Sequence, residues 1–366
     1  SAWNPAKPLR LIRVTMPTIC EVQPSACDGT YASATLELEG RSLIGSLPTE
    51  LGRLNRLQTL ALSGNLISGT VATELSSLRR LEEVRLGNNL LSGTLPQELG
   101  KLDALTGIHV STNHLSGWLP ANWSQLAALK AVELMKNSLS GSLPSPWGRL
   151  TNVELFDASS NRISGSLPPQ LTRLPHAHAI TLSRNPVSGS LSATLQLPNL
   201  LWLRLAYTEL SGTLPTQLGE LAHLSELTLI DNSMSGALPS QLGLATQLSR
   251  MGLSHLDLSG TMPTQLGGLL GLRDFALSNL DKLSGTLPSS IASGGTARTL
   301  ALCYNSRVSG TLPASWAVNP VLQTLLLNNC SLSGTLPEHA AACACACARA
   351  CARACACACA CACACA

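Results

Sequence analysis

Apolar and polar positions alternate along this chain in a short pattern that returns many times. The stretches LQTLALSGNLISG from Leu57, LTGIHVSTNHLSG from Leu105 and LSELTLIDNSMSG from Leu224 all show it. In the first stretch Leu60 and Leu62 lie two residues apart, and side chains at that spacing point to one face of a strand. Each copy therefore predicts a short strand that buries its leucines and displays the residues between them.

The copies follow one another at a nearly constant distance. Each contains a glycine in the phrase LSGTLP or a close variant, at Gly45, Gly69, Gly93, Gly117, Gly141, Gly165, Gly189, Gly212, Gly236, Gly260, Gly285, Gly310 and Gly334. Six consecutive gaps of 24 residues are followed by gaps of 23 to 25. This regularity is typical of a solenoid, because one coil cannot bury its leucines alone and each copy covers the last.

Each copy fits L-x-x-L-x-L-x-x-N-x-L, the leucine-rich-repeat pattern. The predicted fold is an α/β-type leucine-rich-repeat solenoid, a right-handed superhelix of about 13 repeats of 23–25 residues. Short parallel strands are expected on the concave face, and short helical or 3-10 turns, from stretches such as QELGKLDAL, on the convex face. We expect an N-terminal cap over residues 1–35, the solenoid over residues 36–337 and a low-complexity Ala/Cys tail over residues 338–366.

The asparagine of the pattern is its most specific position. A buried carboxamide has two N–H donors and an acceptor for backbone groups left unpaired where a coil turns. Stacked copies predict an asparagine ladder of Asn65, Asn89, Asn113, Asn137, Asn161, Asn185, Asn232 and Asn305, with Thr208 and Cys330 as variants. Leu256 and Leu280 occupy the position in two successive repeats, and we expect the coil to be distorted there.

Composition narrows the function classes. Hydrophobic residues make up 45% of the chain and aromatic residues 3%, as a leucine-filled interior requires. The 24 basic and 21 acidic residues are spread along the repeats, so no basic stripe is available for nucleic acid. The sequence has no apolar run of 18 residues and no signal-peptide pattern, which predicts no transmembrane segment and a mature fragment or part of a longer precursor.

Cysteines are concentrated at the two ends. Cys20 and Cys27 are predicted to form a disulfide loop that caps the first coil, which indicates an oxidising compartment; two free thiols are the alternative. Ten of the 14 cysteines lie in the tail. That tail is interpreted as a translated simple DNA repeat, with soft-metal binding as the alternative. A frameshift or truncation there would remove a cap and a lipid anchor.

The strongest candidate for a binding site is the eighth repeat. Trp202, Arg204 and Tyr207 are expected to project from one short strand, and these residue types carry binding hot spots. The neighbouring strands are expected to add Arg184, Glu226 and Asp231. The alternative is that Trp202 merely fills a gap between strands.

Catalytic and metal-binding patterns are not found in the sequence. His176 and His178 could reach one metal but have no third ligand, which favours exposed loop histidines. There is no nucleophile elbow and no phosphate-binding glycine loop, so we predict neither an enzyme nor a cofactor. Asn122, in NWS, is a candidate for glycosylation, whereas Asn329, in NCS, abuts the ladder and is expected to be buried.

The repeat as a whole resembles the plant-type extracellular leucine-rich-repeat class, whose unit reads LxxLxxLxLxxNxLSGxIPxxLGxL. The resemblance covers about residues 20–337, and the Cys20–Cys27 spacing is similar to that class's N-terminal cap. Leucine before proline, with Trp147 and Trp316 after it, looks like the surface-antigen and proteophosphoglycan proteins of trypanosomatids. Those proteins commonly carry threonine at the ladder position, where this chain has mostly asparagine.

The resemblance implies a secreted or lipid-anchored surface protein. The leading hypothesis is a non-enzymatic binding or adhesion module, extracellular or on the cell surface, that recognises a protein or glycan through its concave strand face. The alternatives are a plant-type inhibitor of secreted glycanases, a receptor ectodomain, and a truncated product without a stable function.

Overall fold

A computed structural model describes residues 16–191, 195–317 and 319–333. Two long parallel sheets run through it, and each coil after the first contributes one strand to each. The first sheet is the concave strand face, and its thirteen strands are Thr35–Glu37, Thr59–Ala61, Glu83–Arg85, Gly107–His109, Ala131–Glu133, Leu155–Asp157, Ala179–Thr181, Trp202–Arg204, Glu226–Thr228, Arg250–Gly252, Asp274–Ala276, Thr299–Ala301 and Thr324–Leu326. The predicted displayed strands are therefore present in one continuous parallel ladder.

The phrase LSGT, for which the sequence pattern predicted no strand, forms a second sheet. Its twelve strands are Ser68–Thr70, Leu90–Thr94, His114–Trp118, Ser138–Ser142, Arg162–Ser166, Val187–Ser190, Glu209–Thr213, Ser233–Ala237, Asp257–Thr261, Lys282–Thr286, Asn305–Thr311 and Cys330–Ser333. The glycine of each phrase within the described residues has a left-handed backbone, for example φ 76° at Gly93, which other residues adopt only at a steric cost. The chain thus bends inside the strand without leaving the sheet.

Short helices lie opposite the first sheet in ten of the described coils. The 3-10 helices are Thr49–Arg53, Thr73–Ser77, Gln97–Lys101, Ala121–Gln125, Ser145–Arg149, Leu171–Arg173, Thr216–Glu220, Ser240–Leu244 and Thr264–Gly268, and one α-helix spans Ala314–Ala317. Successive helices stack closely: a Cβ added to Gly219 would lie 2.0 Å from the Gln241 carbonyl oxygen. Glycine at this position therefore sets how tightly the coils can pack.

The N-terminal segment covers the leading edge of the solenoid. Two short α-helices, Ile19–Val22 and Pro24–Asp28, are joined by the Cys20–Cys27 disulfide. The Thr18 side chain and Glu21 form a capping box at the first helix, and Ile19 is buried in the leucine core. The Ala/Cys tail predicted for residues 338–366 lies outside the described residues, and the domain boundaries remain a prediction.

Leucines from every coil form one continuous core. Three coils place tryptophan where others have leucine, at Trp123, Trp147 and Trp316, and the rings of Trp123 and Trp147 stack with centroids 6.0 Å apart. Both are buried, and their indole N–H groups donate to the carbonyl oxygens of Pro96 and Pro120 at 3.0 and 2.9 Å. Tryptophan is tolerated in this core because its one polar atom finds a partner on the preceding coil.

The asparagine ladder ties consecutive coils together. At Asn113, Oδ1 accepts from the Leu91 N–H at 2.9 Å, while Nδ2 donates to the carbonyls of Leu86 and Val110 at 3.0 Å each. Thr208 makes a smaller set, donating to the Leu205 carbonyl at 3.0 Å. Both sheets keep their register past Leu256 and Leu280, and the register shift in the described strands lies later, between Asn305 and Ser309. The distortion expected at these leucines is therefore not seen in the strand register.

Candidate binding face on the first sheet

The three-residue strands of the first sheet bury their middle residue and turn the flanking two outward. In Trp202–Arg204 the central Leu203 is buried, Trp202 is exposed and Arg204 is half-buried. Parallel pairing places Trp202 beside Glu226 and then Arg250 in the next two coils. Outward residues some 24 apart in sequence therefore lie side by side in space.

Charged residues of alternating sign link four coils here. The Arg204 guanidinium donates to both carboxylate oxygens of Glu226, from Nε at 2.8 Å and from Nη2 at 2.6 Å. Arg250 donates to the same carboxylate at 3.0 Å and to Asp274 at 3.2 Å. Two arginines thus converge on one carboxylate, with part of each guanidinium still facing solvent.

Glu226 stays ionised in spite of its position. The residue is buried, and burial by itself raises the pKa of its carboxyl. The hydrogen bonds and positive charges of Arg204 and Arg250 together outweigh burial, so the pKa lies below its ordinary value. The pair of arginines therefore fixes a negative charge at the centre of this face.

Aromatic rings accompany the arginines. The guanidinium carbon of Arg204 lies 5.1 Å from the Trp202 ring centroid, and that of Arg184 lies 4.8 Å from the Tyr207 centroid. Cation–π contacts of this kind hold both partners in one orientation while leaving the outer ring face open. The side chains of Trp202 and Tyr207 are 40% and 48% exposed, so neither ring is buried between the strands.

The expected placement of three candidates on strands is wrong. Arg184, Tyr207 and Asp231 follow their strands and occupy a left-handed turn, with φ between 55° and 59°. They form a second row beside the strand residues instead of continuing them. Sequence reasoning missed the next member of this row, His255, whose Nδ1 lies 2.8 Å from Asp231 Oδ1.

A second polar cluster on the same face was not predicted. His109 lies between two carboxylates from neighbouring coils, with Nε2 3.0 Å from Glu83 and Nδ1 3.3 Å from Glu133. Gly107 leaves room for this contact, since a Cβ there would lie 2.3 Å from Glu83 Oε2. The hydrogen bond to Glu133 is the largest cause that raises the pKa of His109, and Glu83 adds to it against the effect of burial.

The other residues singled out in the sequence lie on the surface. Asn122 is exposed in its 3-10 helix, and His176 and His178 are exposed. Asn329 is also exposed, at φ 59°, so the expectation that it is buried is wrong: it precedes the ladder position in the outward turn.

Within the described ranges no group of histidine, cysteine, aspartate and glutamate is arranged to hold a metal ion. None of the helices described there has the length and apolarity needed to cross a membrane.

Comparison with known proteins agrees with this architecture. A family model described as Leucine Rich Repeat matches residues 80–102 and 321–343. No curated protein matches the chain. The structure and this match establish the predicted class, a leucine-rich-repeat solenoid.

Several solved structures share this architecture. A TDR receptor superposes with a TM-score of 0.80 at 27% identity, covering 90% of this chain and 61% of the receptor. The plant peptide hormone receptor RGFR1, in complex with RGF2, gives 0.69 at 26% identity, covering 86% of this chain and 60% of that one. A plant ice-binding protein gives 0.57 at 28% identity, covering 62% and 74%. The chain thus spans about 60% of the length of the two receptors.

Proposed function

We propose that this chain is a non-enzymatic binding module of the cell exterior that holds a polypeptide segment of a protein partner across the first sheet. The observation that carries the proposal is the cluster centred on Trp202, Arg204, Glu226 and Arg250. It joins half-exposed aromatic rings to guanidinium groups held in place by ion pairs. Ordered tryptophan and arginine side chains of this kind dominate binding energy in protein interfaces.

Charge alternation suits a peptide better than a single-sign polymer. Arg204 and Arg250 offer unused N–H donors to carboxylates or carbonyls, while Asp231 and Asp274 offer acceptors to N–H groups. A polypeptide carries both kinds of group along its backbone. The outward strand residues and the row of turn residues beside them therefore present hydrogen-bond donors and acceptors to an extended segment lying across several coils.

The solved neighbours support a peptide partner. One of them is a plant peptide hormone receptor in complex with RGF2, and this chain is similar to it over most of its own length. Because the chain spans only 60% of that receptor, signalling by a whole receptor is not carried over. A lipid anchor and kinship with trypanosomatid surface proteins are finer proposals that rest on the sequence phrase alone.

A disulfide and an exposed glycosylation sequence support a location outside the cell. The Cys20–Cys27 disulfide closes a loop of the kind that persists in oxidising compartments. Asn122 is exposed in an acceptor sequence, so it is available for N-glycosylation there. Mass spectrometry of the protein secreted from a eukaryotic host should show a glycan at Asn122.

The proposal is tested by selecting peptides from a displayed random library on the immobilised protein. We expect the wild type to enrich a set of related peptides, and the double variant Trp202→Ala/Arg204→Ala to bind them at least tenfold more weakly. Trp118→Ser, which removes an exposed tryptophan from the second sheet, is the matched control and should bind as the wild type does. Equal binding by the double variant would remove this cluster from the function.

A further inference from the structure

Trp118 is an exposed aromatic residue that the packing of the fold does not explain. It ends the strand His114–Trp118 of the second sheet and is 77% exposed, more than any other large apolar side chain in the described ranges. The same position holds Thr94 in the preceding coil and Ser142 in the following one. A small hydroxyl residue therefore satisfies the fold here, and the indole adds apolar surface facing water.

The indole rests on the backbone of the next coil. A Cβ added to Gly141 would lie 2.8 Å from Trp118 Cδ1 and 3.4 Å from Nε1, so the pyrrole part of the ring occupies the space above that glycine. Gly141 has φ 75°, and the bend of its strand needs it for that reason as well. The ring is thus supported from below while most of its surface remains open.

The surface around the ring consists of hydroxyl groups with a fixed orientation. Ser116, Ser140 and Ser164 donate their hydroxyl protons to glycine carbonyls of the preceding coil, at 3.3, 3.4 and 3.5 Å. A serine hydroxyl has one proton and two lone pairs, so its accepting side is left for a ligand. Neighbouring strands lie about 4.8 Å apart, which makes these acceptors an evenly spaced row.

Charge and area limit what this surface can bind. The charged or titratable side chains of these strands, His114 and Arg162, stand at the opposite ends of the strands from Trp118 and its equivalents. A stable protein interface needs about 800 Å² on each partner with an apolar centre, whereas one tryptophan supplies about 150–250 Å². The surface therefore fits a small, uncharged ligand with many hydroxyl donors and one apolar face.

We propose that the second sheet around Trp118 is a binding site for a neutral oligosaccharide. One sugar ring stacks its C–H face on the indole, and the hydroxyl groups of adjoining sugars donate to the serine row across successive coils. This site is separate from the peptide-binding face proposed for the first sheet, and either can fail without the other.

The test is titration of the protein, produced in a bacterial host, with cellohexaose, laminarihexaose and chitohexaose, followed by calorimetry. A bacterial host adds no N-glycan, so a glycan at Asn122, four residues further on, cannot cover the ring. We expect at least one of the three sugars to bind the wild type. Trp118→Ser should weaken that binding at least tenfold, and unchanged circular dichroism would show that the fold is intact, since serine occupies this position in other coils.

Trp202→Ala is the matched control, because it removes an exposed tryptophan from the other sheet and should leave sugar binding unchanged. The proposal is overturned if none of the three sugars binds the wild type, if Trp118→Ser binds them equally well, or if Trp202→Ala abolishes their binding. Self-association that is lost in Trp118→Ser, without sugar binding, would assign the surface to a second copy of the chain and would also overturn it.

Discussion

The two sheets repeat with the same period but use their outward positions differently. In the first sheet one outward row reads Glu83, Gly107, Ala131, Leu155, Ala179, Trp202, Glu226, Arg250 and Asp274. In the second sheet nearly every coil repeats Ser, Gly and a small residue. The second sheet is constrained because its glycines adopt positive φ, which other residues adopt only at a steric cost, whereas outward residues of the first sheet are free to vary.

The largest loss of stability is expected at the asparagine ladder, which bonds to the backbone beside both sheets. Asn113→Ala leaves the buried Leu91 N–H without its acceptor and removes one of the two asparagine donors from each of the Leu86 and Val110 carbonyls, at a cost of about 3 kcal/mol in the free energy of unfolding. Urea unfolding followed by circular dichroism measures it. Asn122→Ala, at an exposed asparagine, is the control and should change stability by less than about 0.5 kcal/mol. Similar losses in both variants would mean that the ladder does not support the sheets.

A smaller loss of stability is expected on replacing Glu226, at the centre of the charged residues of the first sheet. Glu226→Ala leaves Arg204 and Arg250 facing each other without their shared carboxylate, which we expect to cost about 2 kcal/mol because Glu226 is buried but both arginines are partly exposed. The folded pKa of Glu226 lies below its ordinary 4.5, so the stabilisation is present above that value and is lost as the pH falls through the folded pKa. Unfolding measured from pH 7 to 3 should show a steeper loss in the wild type than in Glu226→Gln.

The histidine cluster of the first sheet should respond to pH in the opposite direction. Protonated His109 can donate to both Glu83 and Glu133, whereas the neutral ring can donate to only one of them. Its pKa is raised above 6.5, so its contribution of about 1 kcal/mol is complete below pH 6.5 and is lost as the pH rises through the folded pKa.

Unfolding at pH 5.5 and 8.5, with an NMR titration of the His109 ring, checks this prediction. His109→Gln should remove the difference between the two pH values. A folded His109 that titrates below 6.5 would contradict the proposed hydrogen bonds from its ring to both carboxylates.

The smallest effect is expected in the second sheet. Ser116→Ala removes one hydroxyl whose bond to the Gly93 carbonyl is long, at 3.3 Å, and partly exposed. We expect a loss below about 0.5 kcal/mol, by thermal unfolding, because water replaces that hydrogen bond. A loss as large as that of Glu226→Ala would mean that the serine hydroxyls, and not the glycine backbones alone, hold the second sheet together.

Particular residues show how far the sequence predicts the site. The Asn113 contacts follow the pattern directly, because every coil needs the same bonds at the same place. Trp202 and Arg204 could be chosen as outward strand residues, but Tyr207 could not be assigned to the turn without its φ of 56°. The pairing of Glu83 with His109, 26 residues apart, depends on both the stacking of coils and the gap left by Gly107.

The sequence by itself determined the period, the buried leucines and the ladder of asparagines, since these depend on residue spacing within a single coil. The tertiary structure decided the second sheet, the convergence of two arginines on Glu226 and the exposure of Trp118 and Asn329. Those features arise between coils, where the register of one strand against the next fixes which side chains meet. A repeat pattern describes one coil, and only stacked coils define the surface that a partner contacts.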